Sequence, residues 1–94
     1  MSNHDQLAQA AERMRNNFKD YLDQPNHGQA NSVMRDINEL ISDLKSKKGR
    51  DAVDNRLRQI MDKVRQVDGE VMDVHHSSAI AGTCEQLRRE AAKL

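Results

Sequence analysis

Apolar residues recur at alternating intervals of three and four along most of the chain, and the alternation by two that marks a strand is absent. Four stripes result. The first is Leu7, Ala11, Met14, Phe18 and Tyr21, with Leu22 beside it, and predicts a helix over 5–23. Asn3 or Asp5 can cap its start, because a short polar side chain accepts hydrogen bonds from the free amides of a first turn. Gln24-Pro25-Asn26-His27-Gly28 ends it: proline has no amide hydrogen to donate, and Gly28 permits a turn.

The second stripe, Val33, Met34, Ile37, Leu40, Ile41 and Leu44, predicts a helix over 31–47. It is the widest apolar face and so the most central one. Lys45, Lys47 and Lys48 meet the negative end of that helix dipole, and Gly49 is placed to terminate it.

The third stripe is the most regular. Val53, Leu57, Ile60, Val64, Val67, Val71 and Val74 keep the three-four spacing without interruption and predict a long helix over 51–75. At 1.5 Å per residue such a helix is about 38 Å long. In a heptad, Leu57, Val64 and Val71 fall at a, and Val53, Ile60, Val67 and Val74 at d. Leucine stands at a only in Leu57 and at no d position, which departs from the β-branched-a, leucine-d order of parallel dimers and favours packing of more than two helices. Gly69 falls on the outer face, where it costs about 1 kcal/mol relative to alanine.

The phase stumbles at His75-His76-Ser77-Ser78. A fourth stripe, Ile80, Cys84, Leu87, Ala91 and Leu94, then predicts a helix over 79–93. Ser77 or Ser78 is placed to cap it, and Thr83-Cys84-Glu85-Gln86 also fits a capping box. Both a separate helix and a bent continuation of the third fit this pattern.

These elements define an all-α chain: one domain over 1–94, an antiparallel bundle of three to four helices with a long third member, packing further as an oligomer. Composition bears on the last point. Only 18 of the 94 residues are Leu, Ile, Val or Phe, so the core is thin and further burial against a second chain would help it. Charge does not push the chain open, since Lys+Arg and Asp+Glu are both 15. The neutral balance also argues against a generic nucleic-acid binder. A single cysteine excludes an internal disulfide and fits a reducing compartment. The first residues, Met1-Ser2-Asn3-His4, do not read as a secretion signal, so a cytoplasmic location is expected.

Candidate chemistry is sparse. Asp73 and His76 stand three apart, the spacing at which helical residues share a metal, but adjacent His75 and His76 point about 100° apart. A polar helix end is the simpler reading. Cys84 continues the apolar stripe and reads as a buried small side chain. Lys45, Lys47, Lys48 and Arg50 form one basic turn that phosphates could meet, though no aromatic residue accompanies it for base stacking. No phosphate loop, nucleophile elbow or zinc pattern is present, and no cofactor is called for.

A helical protein–protein interaction module is therefore expected, such as an adaptor, inhibitor or assembly subunit. It would work through apolar helix faces rather than as an enzyme, with a protein partner or other copies of itself. The third stripe outruns the other helices, so its far end, Val64, Val67, Val71, Val74, His75 and His76, is the expected contact surface. A nucleic-acid regulator using Lys45, Lys47, Lys48 and Arg50 is the alternative.

Overall fold

In a computed structural model that describes residues 3–22 and 27–94, the four stripes fold as five helices. These are α1 (Asn3–Asn17), α2 (Lys19–Leu22), α3 (Gly28–Lys45), α4 (Arg50–Gln66) and α5 (Val74–Ala91). Helix accounts for 82% of the described residues, and no strand occurs among them. None of the helices is long and apolar enough to cross a membrane. The Cα radius of gyration is 12.5 Å, close to the roughly 12 Å expected for a compact chain of this length.

Neighbouring helices run in opposite directions, and polar pairs fix the register. Lys47 at the end of α3 pairs with Asp5 at the start of α1, while Arg15 further along α1 reaches Asn38. Arg56 and Lys63 of α4 meet Asp43 and Asp36 of α3, the order reversed. Arg88 near the end of α5 bonds Asp54 near the start of α4 at 2.8 Å. The remaining seam, α1 against α5, brings Met14 to Cys84. A single apolar cluster lies inside this ring and draws on all five helices, from Leu7 and Leu22 through Ile37, Leu57 and Ile60 to Ile80 and Leu87.

The first predicted helix is broken in two. Asn16 and Asn17 are weak helix formers, and at Phe18 the hydrogen-bonding tightens, so that the Tyr21 amide donates to the Phe18 carbonyl. The Pro25 turn lies outside the described residues.

The end of α3 also differs from expectation. The left-handed residue is Lys47, with φ 60°, whereas Gly49 has an ordinary φ of −72° and precedes α4. The Lys47 amide donates to the Leu44 carbonyl and the Lys48 amide to the Asp43 carbonyl, a Schellman closure built without glycine.

The largest correction concerns the third helix. It does not run over 51–75: α4 stops at Gln66, Val67 is extended (ψ 133°), and Asp68–Asp73 form a turn. α5 then starts at Val74 as a separate helix. Its cap is Asp73, whose Oδ1 accepts the His76 amide at 3.0 Å, and not Ser77, Ser78 or the Thr83 box. Thr83 Oγ1 instead donates back to the Ala79 carbonyl. The chain folds back because the seam past Val64 has no neighbour to cover it. Turning there lets Met72 enter the core and lays α5 along α4.

Candidate functional site at the α4–α5 corner

The fold-back divides the predicted contact surface. Val64 is fully buried in the core and cannot meet a partner. Val67 and Val71 are half-buried in the turn. Val74 is 72% exposed, the one large hydrophobic side chain in that state among the described residues. His75 beside it is exposed.

The turn and the first part of α5 enclose an open cleft of about 450 Å³. Val67, Met72 and Val74 give it apolar surface, Ser77, Ser78 and Ala81 form the α5 wall, and Arg65 and Gly69 complete it. Small side chains on the α5 wall keep the recess open, and a methyl group added at Gly69 would meet nothing within 4 Å. Three of the six predicted contact residues therefore gather here: Val67 and Val74 in the cleft, and Val71 in the turn that shapes it.

His76 is directed elsewhere. Its ring lies against Tyr21, with centroids 3.9 Å apart, and edge-on to Phe18 at 6.4 Å. Its Nδ1 is 2.8 Å from Asp73 Oδ1. The backbone and ring of His76 both bond that carboxylate and hold the Asp73 pKa below its ordinary value. Both aromatic residues of the chain thus pack on one histidine, which joins α2 to the start of α5. Among the described residues no three His, Cys, Asp or Glu side chains cluster as metal ligands.

The basic turn is tied to the chain's own groups. Lys45 pairs with Glu12 at 2.8 Å, Lys47 with Asp5, and Lys48 with Asp43 at 3.2 Å. Arg50 Nη1 lies 3.5 Å from the Ala92 carbonyl, a long contact. A phosphate binding there would compete with these acids.

The structure also places two acids that the apolar stripes do not point to. Asp36 and Asp43, seven apart on α3, are each 7% exposed and face Lys63 and Arg56, also seven apart, on α4. Arg56 Nε donates to Asp43 at 3.0 Å and Arg56 Nη1 pairs with Glu39 at 2.7 Å. Lys63 Nζ donates to Ser32 Oγ at 2.9 Å and sits 2.7 Å from Asp36 Oδ2. That last contact is an ion pair outside hydrogen-bond angles, so the buried Oδ2 accepts no well-directed hydrogen bond. The matching spacing of seven on both helices is the sequence signal for this ladder.

No protein-family model matches the sequence, and no curated protein or solved structure matches it.

Proposed function

We propose that this chain is a small helical protein–protein interaction module, an antiparallel four-helix bundle that presents the α4–α5 corner to a partner. The observation that carries the reading is Val74. The core closes over every other large hydrophobic side chain of the described residues to a greater degree, yet Val74 stands 72% exposed at the mouth of a cleft with apolar Val67 and Met72. Burying such a side chain on a partner contributes about 1.5–3 kcal/mol. A binding module suits the site better than an enzyme does, because the corner offers shape and apolar surface, while the Asp73–His76 pair is packed against Tyr21 and Phe18. The bonds that occupy Lys45, Lys47, Lys48 and Arg50 favour the corner over the basic turn.

The test is a photo-crosslinking amino acid placed at Val74 and, separately, at exposed Arg58 on α4. In extract from cells that make the protein, position 74 should give a discrete adduct and position 58 none. Excess wild-type chain should suppress the adduct, and excess Val74→Asp protein should not. Equal adducts from both positions, or equal competition by both proteins, would remove the proposal.

A further inference from the structure

Resting on that reading, we infer that the occupant of the corner is a second copy of this chain, docked about a two-fold axis beside Val74. A two-fold contact brings a patch against itself, so the patch must be complementary to itself, as it is when it holds both a projecting group with a recess to receive it and charges of both signs. A foreign partner demands none of this.

The corner has each part. Val74 projects, and the cleft behind it is floored by Val67 and Met72 and walled by small Ser77, Ser78 and Ala81. The Val74 of one copy can therefore enter the recess of the other. Arg65 lines the cleft with its side chain 62% exposed, and its nearest acid, Asp62, is 4.0 Å away. On the turn, Gly69 lines the same cleft between exposed Asp68 and Glu70. Neither of those carboxylates pairs with a cation among the described residues. Across a two-fold axis Arg65 of each copy faces Glu70 of the other, so one ion pair forms twice. Zero net charge adds no long-range repulsion between copies. The contact is confined to one corner, so the dimer is a weak one, with a dissociation constant of roughly 0.1–1 mM.

Sedimentation equilibrium of the full chain tests this, over concentrations from about 10 μM to about 2 mM chosen to bracket that constant. The average mass should rise from 10.7 kDa toward twice that value. Val74→Asp should hold it at the monomer mass. Arg65→Glu and Glu70→Arg should each weaken association several-fold, and the double variant should restore it. All three side chains are exposed, and unchanged melting temperatures would confirm that the variants fold. A monomer at every concentration overturns the second copy as occupant, while a foreign adduct at position 74 would leave the interaction reading standing. A dimer indifferent to Val74→Asp, or a double variant no tighter than the singles, overturns the two-fold pairing.

Discussion

Replacing Lys47 by glycine should stabilise the protein relative to replacing it by alanine, although both remove the same ion pair. Lys47 holds φ 60° at the close of α3, where its own amide and that of Lys48 cap the Leu44 and Asp43 carbonyls. A residue with a Cβ is disfavoured in this left-handed conformation by about 1–2 kcal/mol. Glycine removes that cost but returns about 0.4–1 kcal/mol as extra freedom of the unfolded chain. Both variants lose the contact to Asp5, and with the two side chains 48% and 49% exposed that pair contributes about 0–1 kcal/mol. The Asp5 term cancels between the variants. Lys47→Gly should therefore exceed Lys47→Ala by about 0.5–1 kcal/mol, or roughly 2–8 °C in midpoint for a domain this size. Thermal unfolding followed by circular dichroism at neutral pH measures the difference. An alanine variant equal to or more stable than the glycine variant would refute the left-handed closure at Lys47 and return that role to Gly49.

Other consequences follow from single groups. Burial pushes the Cys84 thiol up to about 12. A disulfide reagent at pH 8 should therefore react about 1,000-fold more slowly than with a free thiol, and at ordinary speed in denaturant. The Arg88 hydrogen bond holds the Asp54 pKa below its ordinary value, against the opposing effect of burial. A lowered folded-state pKa adds stability above the unfolded value that is lost as pH falls through the folded one. Urea midpoints should therefore drop below about pH 4, and less steeply in Asp54→Asn. Asp73→Ala removes the α5 cap and should cost about 1 kcal/mol, with Asp73→Ser recovering part of it. Equal losses for both would show that the Asp73 contact to the His76 ring, not the cap, supports the helix start.

Much of this arrangement was legible in the hydrophobic pattern. The stripes at Leu7–Met14, Val33–Leu44, Val53–Val64 and Ile80–Ala91 all face the core. The pattern failed at Val67–Val74 because three-four spacing survives across a turn whose hydrophobic residues still sit near the core. Nothing in the spacing separates a helix from a chain that leaves helical geometry at Val67 and resumes it at Val74. Two local signals pointed to the break: Asp68-Gly69, a turn pair, and Asp73, a capping acid three residues before His76. The candidate site was half legible for the same reason. The spacing places Val74 on an overhanging helix end, whereas in the structure a fold-back exposes it. Asp36 and Asp43 were hidden because an acid on a helix edge looks the same whether it faces solvent or a cation on the next helix. The gathering of Phe18 and Tyr21 on His76 depends on contacts between residues more than fifty positions apart.

On the proposal above, the α4–α5 corner is the surface through which this chain makes contact. A concentration series of amide proton–nitrogen spectra on the purified, isotope-labelled protein tests it most directly. Resonances that move with concentration should be those of Arg65, Val67, Gly69, Met72, Val74, Ser77, Ser78 and Ala81, and they should stay fixed in Val74→Asp. Movement centred instead on Lys45–Arg50, with the corner unchanged, would contradict the account.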